Sequence, residues 1–268
     1  MLIIGESLNA TIPSVKQAVI AHDAEKIKSL ARRQAECGAH MLDVNAAVPG
    51  QSEPDDLAWM VQTVQSATDL PLVLDSSNPE AIEAALRVYK GEAPILSSIT
   101  GEMTAGHARL LALAVEHRCG LVGMCMDASG ISSEADVRFA VAEKLFERTR
   151  SAGLAPENLY IDPLVLAIAT DFGAGVTFLH VLQLIKERLP GVRTISGLSN
   201  ISFGMPQRRL LNQTFVAMQA AFGMDAFLVD VRDQKLMATL IAARALMGQD
   251  EWGMEYLKAY RSGKLGDK

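Results

Sequence analysis

Gly197-Leu-Ser-Asn-Ile-Ser-Phe-Gly-Met-Pro-Gln-Arg-Arg209 reads as a strand end running into a helix. Residues 193–198 alternate β-branched and small side chains, the pattern of a buried strand. Downstream, Pro206 suits the first turn of a helix, and Leu210, Leu211, Phe215, Met218 and Phe222 supply an apolar face. Ser199, Asn200 and Ser202 therefore fall at the carboxyl end of a strand. Asn200 offers two donors and an acceptor oxygen, so it can follow a proton without titrating. The same side chain also suits a turn in which it only satisfies backbone groups. The two readings are separated by what the other strand ends carry.

Strand-like runs recur on both sides of this stretch. They cover 2–5, 40–44, 71–74, 94–97, 120–126, 159–161, 193–198 and 225–229. Each is followed by a segment long enough for a crossover helix, which makes the pairing parallel. Between them, 23–39 carries Ile27, Leu30, Ala31 and Ala35 at helical spacing with Gly38 as a stop, and Asn78-Pro79 opens another helix. The segments 134–152 and 176–189 repeat the pattern. Eight βα units in about 250 residues predict an α/β fold, a single-domain (β/α)8 TIM barrel over 1–262 with a polar tail, 263–268. An open doubly wound sheet is the competing architecture, but no Gly-x-Gly-x-x-Gly follows the first strand.

Composition narrows the function. The 268 residues carry a net charge of −6, which argues against a nucleic-acid or anionic-membrane surface. Hydrophobic residues at 49% with aromatics at 5% imply aliphatic packing. Cys37, Cys119 and Cys125 form no Cys-x-x-Cys pair and read as reduced thiols. No apolar run approaches the roughly 18 residues of a membrane span, so a soluble, cytoplasmic protein is expected.

In such a barrel, function belongs to the carboxyl ends of the strands. Those positions hold Glu6 and Asn9, Asp43 and Asn45, Asp75, Ser97 and Ser98, Asp127, Asp162, Asn200 and Asp230. Any one of them suits a cap or a turn. Acids and amides at nearly every strand end are costly to bury unless they are paired or held for a ligand. The five histidines are scattered, so no bound metal is expected. A flat heterocycle with several N–H donors, such as a pterin, matches a ring so rich in acceptors, because a carboxylate takes paired N–H groups in a bidentate way.

The pieces Leu2-Ile-Ile-Gly-Glu6 with Asn9, Leu42-Asp-Val-Asn45, Leu74-Asp-Ser-Ser-Asn78 and Ser97-Ser98 with Gly101-Glu102 run along the first half. Tyr160-Ile-Asp-Pro-Leu164 and Gly197 to Pro206, with Arg208 and Asn212, complete the set. On these pieces the sequence resembles the methyltetrahydrofolate:corrinoid-protein methyltransferases. That family shares a pterin-binding barrel with dihydropteroate synthase and with the folate module of cobalamin-dependent methionine synthase. The resemblance implies methyl transfer between N5 of tetrahydrofolate, or 5-methyltetrahydrofolate, and the cobalt of a cobalamin carried by a separate corrinoid protein. It makes Asn200 the catalytic group beside N5, and Asp75, Ser97, Asp162, Ser202 and Arg208 further contacts to the pterin. Glu6, Asn9, Asp43, Asn45, Asp127 and Asp230 would form the surrounding rim.

Two positions depart from the family. Ser7 stands where an arginine is usual, and Ser97 replaces an asparagine. No Asp-x-His-x-x-Gly corrinoid signature occurs, so the cobalt is expected on another chain. The resemblance also implies a homodimer, with Trp59 or the helix around Gln219 as the candidate interface. A dihydropteroate synthase-like enzyme is one alternative, although the loop Ser202-Phe-Gly-Met-Pro206 lacks the lysine expected for a leaving pyrophosphate. A folate-binding protein without catalysis is the other.

Overall fold

In the computed structural model, which describes residues 1–266, eight parallel strands close into a barrel in chain order, with β1 pairing to β8. The strands are β1 (Leu2–Asn9), β2 (Met41–Asn45), β3 (Leu72–Asp75), β4 (Ile95–Thr100), β5 (Gly120–Met124), β6 (Leu159–Asp162), β7 (Arg193–Gly197) and β8 (Ala226–Val229). The first helices are α1 (Pro13–Ile20), α2 (Ala24–Glu36), α3 (Glu53–Gln65), α4 (Pro79–Val88) and α5 (Ala105–Glu116). They are followed by α6 (Ala135–Ser151), α7 (Ala174–Arg188), α8 (Arg208–Ala221), α9 (Gln234–Leu246) and α10 (Met254–Arg261). This is the (β/α)8 barrel expected, with α1 and α10 added to the eight-fold alternation. Of the expected tail, Asp267 and Lys268 lie outside the described residues. No helix among the described residues is long and apolar enough to cross a membrane.

Local chemistry sets several element ends. Asp23 accepts from the Lys26 N–H at 3.1 Å and caps α2, and Asn78 does the same for α4 by accepting from the Glu80 N–H at 3.0 Å. Gly38 follows α2 at φ +98°, a conformation that only glycine adopts freely.

The pleat then decides what faces the barrel axis. Side chains alternate in and out along a strand, so residues two apart share a face. One inward layer takes a residue from every strand: Ile4, Met41, Val73, Ile95, Val122, Tyr160, Ile195 and Ala226, none more than 5% exposed. This layer is the floor. A second, larger apolar cluster fills the space between the strands and the helices. Counting two residues toward the carboxyl ends from the floor gives Glu6, Asp43, Asp75, Ser97, Met124, Asp162, Gly197 and Leu228. Period two alone therefore brings four carboxylic acids and a serine into a single layer directly above an apolar floor.

Several boundaries differ from expectation. The first strand was read as 2–5 but continues to Asn9 across a register shift between Gly5 and Leu8. At the shift, the Ser7 N–H donates to Gln34 Oε1 at 2.9 Å, so a side chain from α2 replaces the missing ladder bond. A Cβ on Gly5 would collide with that carboxamide, which makes glycine the fitting residue there. Ser7 is buried against it.

The helix after Asn200 departs more. It begins at Arg208, after Gln207 in the left-handed region at φ +52°, and Pro206 belongs to the preceding turn. Its buried residues are Phe215, Val216, Gln219 and Ala220, whereas Leu210, Met218 and Phe222 are exposed. The Ser196 hydroxyl on β7 donates to Gln219 Oε1 at 2.7 Å and fixes that face inward. Gln219 is thus unavailable to a second subunit. Trp59 is stacked on His22, with ring centroids 4.5 Å apart.

Candidate active site

The mouth at the carboxyl ends is built from short relays of amide and acid. Asn9 donates to Asp43 Oδ2 at 3.4 Å, while its own Oδ1 accepts from the Thr11 backbone at 3.0 Å. One strand further round, Asn45 donates to Asp75 Oδ2 at 3.0 Å and accepts from the Ala47 N–H at 3.1 Å. Each asparagine therefore ties the loop after its own strand to the acid on the next. Asp75 is level with Ser97 across the β3–β4 pair. The Ser97–Ser98 peptide is cis.

Burial governs the charge of this layer. It pushes the Glu6 carboxyl up to about 7, helped by Asp230 and opposed by Arg232 and Arg208. It also pushes Asp162 up to about 7, against the Leu164 N–H bond and the nearby Arg138 charge. Asp43 is raised well above its ordinary value, first by burial and then by Asp75. Asp75 is raised by burial, while hydrogen bonds from Asn45 and Ser97 pull it back. Four acids thus share a water-poor layer in which protons are held more tightly than in solution. Acids perturbed in this way and gathered in one layer are candidates for functional chemistry.

Asp162 is held by the loop that follows it. Its Oδ1 accepts from the Leu164 N–H at 2.8 Å, and Leu164 adopts φ +66°. Arg138 on α6, fully buried, donates to the Pro163 carbonyl at 3.2 Å, to the Leu164 carbonyl at 2.8 Å and to the Ser132 carbonyl. Sequence reasoning missed Arg138. The signal was present, because it shares the stripe of Ala142, Leu145 and Thr149 that α6 buries, and a cation on a core-facing stripe has a buried partner to serve.

Beyond β7 the chain forms a 3₁₀ turn, Leu198–Ser202, instead of extending the strand through Leu198. Asn200 is exposed on this turn, and its side-chain amide makes no hydrogen bond among the described residues. Ser202 is buried and takes an Arg208 Nε bond at 3.1 Å, and Arg208 also donates to the Ser199 carbonyl at 2.9 Å. The turn is tied to the loop after β6 through the Ile168 N–H, which donates to the Ile201 carbonyl at 3.1 Å. Asn200 and Asp162 therefore lie at the same end of the barrel.

Two of the expected rim residues have local partners. Asp127 accepts from the Ser129 N–H at 2.9 Å and from the Ser129 hydroxyl, which hold it below the usual carboxylate range within its own turn. Asp230 pairs with Arg232 at 2.7 and 3.0 Å, and against its burial that guanidinium keeps it ionised. Among the described residues, no group of three or more His, Cys, Asp or Glu side chains is placed to hold a metal ion.

Residues 5–230 match the family described as "Pterin binding enzyme". The chain belongs to that family. The pterin-binding enzyme is 35% identical over 267 residues to a "Methylcorrinoid:tetrahydrofolate methyltransferase" of Eubacterium limosum, covering 99% of this chain and 98% of the relative. It is 30% identical over 241 residues to a "Methionine synthase" of Mycobacterium tuberculosis, covering 85% of this chain but 20% of that protein. Among solved structures, a Yersinia pestis dihydropteroate synthase with a sulfonamide superimposes with a TM-score of 0.68 at 17% identity, covering 92% of this chain and 94% of that one. A Thermus thermophilus dihydropteroate synthase superimposes at 0.66 and 23%, covering 92% and 93%. At such identities the likeness is one of fold.

Proposed function

We propose that this pterin-binding enzyme moves a methyl group between the cobalt of a corrinoid carried by a separate protein and N5 of tetrahydrofolate. The observation that carries the reading is the acid layer over an apolar floor, with an unengaged amide, Asn200, at its rim. A pterin fits such a site edge-first. Its 2-amino-4-oxo edge offers paired N–H donors to Asp75 and Asp162, and Ser97, Ser202 and Arg208 complete the pocket. The raised acid next to an N–H donor ionises on binding, because the donor replaces the water that burial removed.

The name of the 35% relative places the corrinoid first, and we take that direction. The N5 lone pair attacks the methyl carbon, the carbon–cobalt bond breaks, and both electrons of that bond return to the cobalt as Co(I). N5 then bears a methyl group, a proton and a positive charge, and it releases the proton to water. Asn200 accepts from N5–H with its oxygen before transfer and donates its N–H to the N5 lone pair afterwards, so it stays bonded throughout. The reverse transfer follows the same path. The contribution of Asn200 is preorganisation, and that of the acids is orientation. No protein atom bonds to the methyl group. A homodimer located in the cytoplasm, with no nucleic acid or membrane as partner, belongs to the same proposal.

The test is spectroscopic. Mixing the protein anaerobically with 5-methyltetrahydrofolate and cob(I)alamin should consume the Co(I) band and build methylcobalamin in equal amount. Tight folate binding with no such conversion, for free cobalamin or for any corrinoid protein, would leave a folate-binding protein without catalysis.

A further inference from the structure

Beside the mouth, between the β8 end and α8, lies a cleft of 1070 Å³ whose lining is cationic. Arg33 from α2, Arg208 and Arg209 from α8, Arg232 after β8 and Lys235 from α9 converge on it. The acids lining it are Glu6, whose proton is held up to about 7, Asp230 and Asp233. Asp230 is already matched by Arg232 at 2.7 Å, and Asp233 is 3.9 Å from Arg209 and caps α9. Arg33 and Lys235 are exposed and have no carboxylate partner among the described residues. The cleft is therefore a local positive basin in a chain of net charge −6. α8 adds to it, because its N-terminus, the positive end of the helix, starts here without a side-chain cap.

A further feature specifies the ligand. Asn212 lines the cleft, yet its Oδ1 is buried without a hydrogen-bond partner. A buried acceptor left unpaired is costly unless a donor meets it. The cleft thus presents several cations, and a turn of the Asn212 amide would add an acceptor; together these suit a chain of carboxylates joined by amide N–H groups. It is continuous with the mouth, because Glu6 and Ser199, the neighbour of Asn200, line it.

We propose that this cleft binds the glutamate end of the folate, including γ-linked glutamates beyond the first, and so favours polyglutamylated substrate. The inference rests on the function proposed above, since it assigns the part of the same substrate that projects from the mouth. Each added glutamate brings a carboxylate within reach of Arg33 or Lys235 and an amide N–H for Asn212.

Direct binding tests it, with tetrahydrofolate mono- and triglutamate, a tetrahydropterin lacking the tail, and p-aminobenzoyl triglutamate lacking the pterin. Wild-type protein is expected to bind the triglutamate about tenfold more tightly than the monoglutamate at low salt, with the gain fading as salt rises. In Arg33→Gln/Lys235→Gln, with unchanged thermal unfolding, that gain should fall to about twofold, while tetrahydropterin binding stays the same. An equal gain in both proteins overturns the proposal. So does a variant that binds every folate normally but slows transfer with the corrinoid protein, because the cations would then serve the protein partner. The tail-only compound separates the two claims. If it binds wild type and not the double variant while the tetrahydropterin fails to bind, the cleft assignment stands and the function proposed for the mouth falls.

Discussion

Two layers of the same barrel, two residues apart on the same strands, have opposite chemistry. The floor is built from Ile4, Met41, Val73, Ile95, Val122, Tyr160, Ile195 and Ala226, and its groups need nothing but each other. The layer above holds Glu6, Asp43, Asp75 and Asp162, each with its proton held more tightly than in water. Both layers face the axis, so neither topology nor pleat distinguishes them. What differs is that the upper layer carries groups whose burial disfavours their charge, a cost that a folded chain retains where a ligand relieves it. On the proposed function the floor serves stability and the mouth serves chemistry, and substitutions should separate along that line.

The largest effect expected is at the floor. Ile4→Ala removes a fully buried side chain and should lower unfolding stability by about 2–5 kcal/mol, read by denaturant titration, with little change in folate affinity at a temperature where it stays folded. A large loss of folate binding in that folded variant would break the division of labour. At the mouth, Asn200→Ala should slow methyl transfer by about two to three powers of ten in single-turnover measurements, with a smaller loss of folate affinity. Loss of binding with an unchanged chemical step would reject the role given to Asn200.

The next prediction concerns protons. Because Asp162 titrates at about 7 in the fold against an ordinary 3.8, the folded state binds more protons than the unfolded chain between those values. Its contribution to stability is therefore fully favourable below that window and is lost as pH rises through it. In the ligand-free protein, Asp162→Asn should raise the melting temperature at pH 8 by about 2–4 °C relative to wild type, with less gain at pH 5. An equal gain at both pH values would place the Asp162 proton elsewhere. At the small end, Asp127→Ala should leave folate affinity and transfer rate as they are, since that acid serves only its own turn.

Much of this division was legible in the sequence. Strand-like runs with helical spacers were enough for the barrel, and the residues at or just past the end of the runs named Asp43, Asp75 and Asp162 as mouth positions. The features that were not legible depend on contacts between distant segments. Gln34 from α2 extends β1 past its apparent end by accepting the Ser7 N–H. Gln219 turns α8 toward β7, so of the expected apolar face Leu210, Leu211, Phe215, Met218 and Phe222 only Phe215 is buried, while Leu210, Met218 and Phe222 are exposed. Arg138 secures the loop behind Asp162 from α6, 24 positions earlier in the chain, where periodicity records only an odd residue on an apolar stripe. The Leu198–Ser202 turn keeps Asn200 out of the strand, a local backbone choice that alternation does not encode. In the first three cases tertiary hydrogen bonding decides what the local pattern leaves open.

The measurement that tests the account most directly is a structure of this enzyme with tetrahydrofolate bound. The ring is expected above the Ile4–Val122 floor, its 2-amino-4-oxo edge against Asp75 and Asp162 and its N5 within hydrogen-bond reach of the Asn200 side chain. A folate held outside the barrel mouth, or one whose N5 faces away from Asn200, would contradict it.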